Sequence, residues 1–152
     1  MHPALNLPTA EIRFKDDLIW DRIRRKYLKD TPEEWVRQNF IAYLIDHLNY
    51  PEGLMASEFV VEYNDMHKRC DIVVMDQHSN ARVIVECKAP KVPLTEDTFY
   101  QIARYNHVLN APLLILTNGM EHFCALIKNG KLKYLEEIPD REKLEVLLST
   151  TD

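Results

Sequence analysis

The chain has 152 residues, 46% of them hydrophobic and 28% charged, with a formal net charge of −5. That length and balance predict one folded soluble domain over residues 1–152, large enough for a real core. The acidic balance argues against a simple DNA-coating protein. It leaves room for a metal-dependent nuclease, whose acidic site is neutralised by its cation.

The three glycines, Gly53, Gly119 and Gly130, cannot build a P-loop or a dinucleotide-binding loop, so ATP-driven work by this chain alone is not expected. Cys70, Cys87 and Cys124 are odd in number and lack CxxC spacing, which predicts buried reduced thiols and neither a zinc site nor a disulfide framework. No apolar run is long enough for a leader or a membrane span, and the expected location is cytoplasmic. The six histidines are scattered without ligand-like spacing and read as surface residues.

In chain order, residues 1–11 carry Pro3 and Pro8 and read as a flexible arm. Residues 12–29 mix Trp20 and Tyr27 with many charges. The basic run of Arg22, Arg24, Arg25 and Lys26 is either solvated charge or a contact with phosphates. Thr31, Pro32 and Glu34 then stand at the N-cap, first and third positions of a helix, a capping-box pattern. Val36, Phe40, Ile41, Leu44, Ile45 and Leu48 give that helix one apolar face, which ends at residues 49–53. A strand at 58–63 and a turn at 64–67 lead into two β-branched runs, 69–75 and 82–88, joined by a polar turn. After Pro90 and Pro93, Thr95 starts a second helix to about residue 109. A buried strand at 113–116 follows, then a hairpin closed by Asn129-Gly130, the dipeptide of a type I′ turn, and a short helix at 140–148. The predicted order is α-β-β-β-α-β-β-β-α, a mixed α/β fold with helices on one central sheet.

The hairpin at 69–88 carries the chemistry. Pairing Asp76 with Ala81 makes paired positions sum to 157 and sets Asp71 opposite Glu86. Alternation then places Asp71, Glu86 and Lys88 on one face, with Cys70, Ile72, Val74, Val83, Val85 and Cys87 on the other, apolar face. Two hard carboxylates suit Mg²⁺ or Mn²⁺, which retains waters and accepts phosphate oxygens. An ammonium beside them can orient water or balance charge on a phosphate. A surface salt bridge between Lys88 and either carboxylate is the plain alternative.

Arg-Cys-Asp at 69–71, Val-Glu-Cys-Lys-Ala-Pro at 85–90, Gln-Ile-Ala-Arg-Tyr-Asn at 101–106 and Leu-Thr-Asn-Gly at 116–119, preceded by Pro-Glu-Glu-Trp-Val-Arg-Gln at 32–38, carry a family pattern. Together they resemble the N-terminal nuclease domain of type I restriction enzyme R subunits, in the PD-(D/E)XK superfamily. The likeness covers about residues 20–135. It implies a restriction-endonuclease-like core and Mg²⁺-dependent hydrolysis of DNA phosphodiester bonds. Carried over, Asp71 and Glu86 hold the metal with the backbone carbonyl of Cys87, and Lys88 is the catalytic lysine. Gln101 and Tyr105 match the family's QxxxY element; with Arg37 and Lys91 they are expected to contact nucleic acid, and Gln101 also to serve the active site. Glu34 is the helix carboxylate by the E-x-x-R register, whereas the helical wheel favours Glu33.

Two departures stand out. Cys70 replaces the superfamily's proline, and the ATP-driven translocase domains of the R subunit are not in this sequence. The expectation is a DNA endonuclease without a motor, working alone or with other restriction or defence subunits. The alternative is a nucleic-acid- or partner-binding module of the same fold with little or no catalysis.

Overall fold

The computed structural model describes residues 1–150; the last two residues of the expected domain lie outside the described residues. Three short strands come first: β1 (Phe14–Lys15), β2 (Leu18–Asp21) and β3 (Lys26–Lys29), which form a small antiparallel sheet. Then follow α1 (Pro32–Asp46), β4 (Met55–Tyr63), β5 (Met66–Met75), β6 (Ala81–Cys87), α2 (Glu96–Tyr105), β7 (Leu113–Thr117), β8 (His122–Lys128), β9 (Lys131–Leu135) and α3 (Arg141–Ser149). From α1 onward the order is the expected one, and β4 to β9 form one six-stranded sheet in sequence order.

All pairings in that sheet are antiparallel except β6 with β7, which run parallel. A parallel pair needs a crossover, and α2 supplies it. Val83, Ile84 and Val85 on β6 and Leu113 to Leu116 on β7 are fully buried, as expected for strands covered on both faces. One face packs Phe40, Ile41 and Leu44 of α1 against Ile72, Val74, Val83, Val85 and Ile115, with Leu144 of α3 beside them. The other packs Phe99, Ile102 and Tyr105 of α2 against Val73, Ile84, Leu114 and Leu116. At about 1.5–3 kcal/mol for each large apolar side chain taken fully out of water, these two layers are what hold the helices to the sheet.

Thr31 caps α1 as expected, its Oγ1 accepting from the amide of Glu34 at 3.1 Å. Asn129 and Gly130 both take positive φ, 55° and 74°, between Lys128 and Lys131, as the type I′ turn requires.

Several expectations need correction. Residues 12–29 build the small sheet, in which Trp20 packs edge-on against Tyr27 at 5.0 Å. The β4–β5 turn is only Asn64-Asp65, since Met66 already pairs with Tyr63. Helix α2 stops at Tyr105. In the central hairpin, Ile72↔Val85, Val73↔Ile84 and Val74↔Val83 keep the predicted register. The closing pair is Met75↔Ala81, one residue off, because the strands shift register between Val74 and Met75. Asp76 organises the turn, accepting from the amides of His78 and Asn80.

The N-terminal arm lies against the body. His2 stacks on Trp35 at 4.9 Å, the Asn6 amide donates to the Gly119 carbonyl at 2.8 Å, and Leu5 covers Gly119. No helix among the described residues is long and apolar enough to cross a membrane.

Candidate active site

Strand β5 and strand β6 pair up to Ile72 and Val85 and then part. At the point of parting, the Asp71 carboxylate takes the place of a ladder acceptor: its Oδ2 accepts from the Cys87 amide at 2.7 Å. Glu86, the residue between Val85 and Cys87, is brought beside it. Asp71 and Glu86 are each 7% exposed, so two carboxylates share a nearly dry location. Burial, and then the neighbouring charge of Glu86, push the Asp71 carboxyl up to about 7.

The predicted clustering of these two side chains is therefore present, but the face expected to be wet is covered. Both faces of the sheet are dry, and the Asp71–Glu86 strands also bury Val73 and Ile84 under α2. The apolar face is not continuous either: Cys87 packs with the α1 layer, Cys70 with the α2 layer. Alternation fails between Cys70 and Ile72, at the level where Glu58, across from Asp71 on β4, has φ of 54° and the ladder skips a pair between Ser57↔Ile72 and Phe59↔Cys70.

Each remaining predicted residue has a clear place. Lys88 is half-buried just past β6, anchored by its amide to the Thr117 carbonyl at 2.8 Å, and among the described residues its ammonium makes no ion pair. Tyr105 is buried, and its hydroxyl donates to Glu86 Oε2 at 3.0 Å. Desolvation, and then the Glu86 charge, hold that phenol protonated far above its usual range, so it remains a donor. The Lys68 ammonium sits 5.4 Å over the same ring. Gln101, one turn earlier, is exposed and its side chain makes no hydrogen bond among the described residues, because α2 turns Phe99, Ile102 and Tyr105 inward. Lys91 is exposed in the turn after β6.

Glu34 and Arg37 are both buried and bound to each other: Arg37 Nε donates to Glu34 Oε2 at 2.9 Å and Nη2 to Oε1 at 2.5 Å. Gln38 also donates to Glu34, at 3.0 Å, so this carboxylate is engaged within the protein. Arg37 Nη1 lies 3.5 Å from Asp71 Oδ1 without a hydrogen-bond partner of its own. Glu33, on the outer side of the helix start, feels the centre through charge. Partial burial, and then Asp71, raise its carboxyl, while Arg37 and Lys88 pull the other way.

Glu58 carried no sequence signal as a site residue, and Arg24 was marked only as part of the basic run. Glu58 accepts from Arg37 at 2.9 Å and from Arg69 at 3.1 Å, and Arg24 lies 3.5 Å away. Although burial works against it, Arg37 first and then Arg24 and Arg69 hold the Glu58 carboxyl below its ordinary range. In the basic run, Arg22 is forked onto Asp46 and Glu52, and Arg24 donates through Nε to the fully buried Asp21 at 2.7 Å. Arg25 and Lys26 remain exposed. A depression of about 580 Å³, lined by Arg24, Lys29, Glu33, Arg37, Glu58 and Ala89, adjoins these groups. A larger one, about 650 Å³, lies at the end of α2 and contains no carboxylate.

The donor set fits a hard divalent cation. Two adjacent buried carboxylates, each unfavourable to the other's charge, are what Mg²⁺ or Mn²⁺ relieves. No group of three or more His, Cys, Asp or Glu side chains among the described residues forms a metal cage.

A model of the type I restriction enzyme R protein N terminus (HSDR_N) matches residues 32–139. A fragment described as an HsdR subunit of a type I restriction enzyme from Vibrio vulnificus YJ016 superposes with a TM-score of 0.53 at 15% identity, over 72% of this chain and 24% of that one. A cryoEM structure of a DrdV–DNA complex gives 0.47 at 20% identity, over 77% of this chain and 11% of that one. The chain thus spans about a quarter and about a tenth of those two chains. No curated protein sequence matches it. The first superposition supports the fold, the family model covers most of the sequence, and the chain belongs to the family of type I restriction enzyme R protein N termini.

Proposed function

We propose that this chain is a Mg²⁺- or Mn²⁺-dependent DNA endonuclease. The observation that carries the reading is the burial of Asp71 beside Glu86 where β5 and β6 part, with Lys88 immediately beyond. Asp71, Glu86 and the Cys87 carbonyl would hold the cation. When bound, it supplies Lewis-acid stabilisation of the charge that builds up on the phosphate.

The protein's own residues do the rest. The Cys87 amide fixes one Asp71 oxygen, and the Tyr105 hydroxyl fixes one Glu86 oxygen, so each carboxylate has a defined rotamer before any ligand arrives. Lys88 offers an ammonium with no ion pair among the described residues to the scissile phosphate or to the attacking water. The water oxygen forms the new P–O bond and gives up its proton to solvent, the bond from phosphorus to the DNA strand oxygen breaks, and that oxygen takes a proton from solvent. Glu33, exposed at the start of α1, acts on this centre only through its charge, and Glu34 acts through Arg37. Lys91 and Gln101, both exposed, are available to the DNA backbone. We place the protein in the cytoplasm, where its three buried free thiols stay reduced, alone or with other restriction or defence subunits.

A second reading, a nucleic-acid- or partner-binding module without catalysis, is favoured by one observation: Arg37 already faces Asp71. Calorimetric titration with Mn²⁺ separates the two. Binding that disappears in Asp71→Ala supports the nuclease; absence of binding, with or without DNA, supports the module.

A further inference from the structure

We infer that Glu58 is a positioning residue of this same centre, setting the Asp71 carboxylate through Arg37; the inference rests on the reading of Asp71 as part of the active site. Pairs along β4 and β5 run Ser57↔Ile72 and Phe59↔Cys70, so Glu58 and Asp71 stand opposite each other as the one unpaired couple between them. Glu58 adopts φ of 54°, a left-handed conformation that residues with a side chain avoid and that persists where the surroundings impose it. Its consequence is visible on β5. Cys70 joins the α2 layer and Ile72 the α1 layer, and Asp71 between them is turned to the Cys87 amide and toward Arg37.

The side chain of Glu58 supplies the second half of the device. The Arg37 guanidinium is 5% exposed and held on two sides: Glu34 takes Nε and Nη2, and Glu58 takes Nη2 at 2.9 Å. With those directions fixed, the planar fork leaves only Nη1, buried and without a hydrogen-bond partner, aimed at Asp71 Oδ1 from 3.5 Å. Asp71 is thus held by the Cys87 amide on one oxygen and faced by an oriented cation on the other. An ordinary surface salt bridge would not require a strained backbone, and it would not end on a buried orphan donor. Arg24 and Arg69 share the outer Glu58 oxygen and keep it from swinging away.

The test reads Asp71 without using activity. In ¹H–¹⁵N spectra of the metal-free protein, the Cys87 amide reports its hydrogen bond to Asp71, with Asp71→Ala marking the unbonded position. Glu58→Gln removes the charge, and Glu58→Gly removes both the charge and the φ penalty in case the first variant folds poorly. The expected result is a Cys87 amide displaced toward its Asp71→Ala position in either variant, with the Ala111 amide, bonded to Asn106 at the far end of α2, unmoved. A Cys87 amide at the wild-type position in both Glu58 variants would overturn the proposal, as would one that does not respond to Asp71→Ala. Mn²⁺ affinity should fall about 10-fold in Glu58→Gln. If the wild-type chain itself binds no Mn²⁺, the nuclease reading fails, and the Cys87 amide still decides the role of Glu58.

Discussion

The Tyr105 hydroxyl donates to Glu86 Oε2 at 3.0 Å, and both residues are buried. An element at the end of α2 thereby fixes a carboxylate on β6 across the parallel crossover. Tyr105→Phe keeps the ring in its layer and leaves one Glu86 oxygen without a donor. Mn²⁺ affinity is expected to drop about 10-fold or more, with about 1–3 kcal/mol lost in urea unfolding. Unchanged Mn²⁺ affinity would show that Glu86 is held by other contacts.

Asp71 gives the metal-free protein a pH dependence. Its folded carboxyl is raised to about 7 by burial and by Glu86, above its unfolded value. The protonated form is favoured by folding, so this contribution is complete below about pH 4 and is lost as pH rises through about 7. Asp71→Asn removes the charge while its side-chain oxygen can still accept from Cys87. At pH 7.5 without metal this variant should be more stable than wild type by about 2 kcal/mol, and the difference should vanish near pH 4. Equal melting curves across that range would contradict the shared-burial picture.

Arg37 is buried among Glu34, Glu58 and Asp71. Arg37→Met strands Glu34 beside Gln38 alone, and a loss of about 3–5 kcal/mol is expected in chemical denaturation. Arg37→Lys recovers only part of it, since an ammonium cannot reproduce the forked contact. A lysine variant as stable as wild type would rule out the forked geometry as the stabilising feature.

The docking of residues 2–6 depends on Gly119, whose φ is 86° and where an added Cβ would come within 2.7 Å of Leu5. Gly119→Ala should cost about 1–3 kcal/mol. The combination with Leu5→Ala should be less damaging than the two single changes added together. Strict additivity of the two would mean that Leu5 does not cover Gly119 in solution.

What was legible in the sequence follows from how strongly each segment is patterned. Val36, Phe40, Ile41 and Leu44 repeat with a helical period, and all are fully buried. The β5–β6 register followed from two dense β-branched runs. The small N-terminal sheet escaped because its strands have only two to four residues, too few to show an alternating pattern, and each carries a charge. The face of Cys70 was misassigned for a different reason. Alternation assumes a regular strand, and the β4–β5 ladder skips a pair at the left-handed Glu58; nothing in Glu-Phe-Val-Val announces that irregularity. The capping box was half right. Thr31 caps the helix, but the Glu34 carboxylate is diverted to Arg37 and Gln38, long-range packing that local spacing does not encode.

Conversion of supercoiled DNA to nicked or linear forms by the purified chain in Mg²⁺ or Mn²⁺ tests the nuclease assignment most directly, with Asp71→Ala and Lys88→Ala as comparisons. The expected result is cleavage by the wild-type chain that falls about 100-fold or more in each variant. Equal cleavage by wild type and both variants, or none by a wild-type chain that binds metal and DNA, would contradict it.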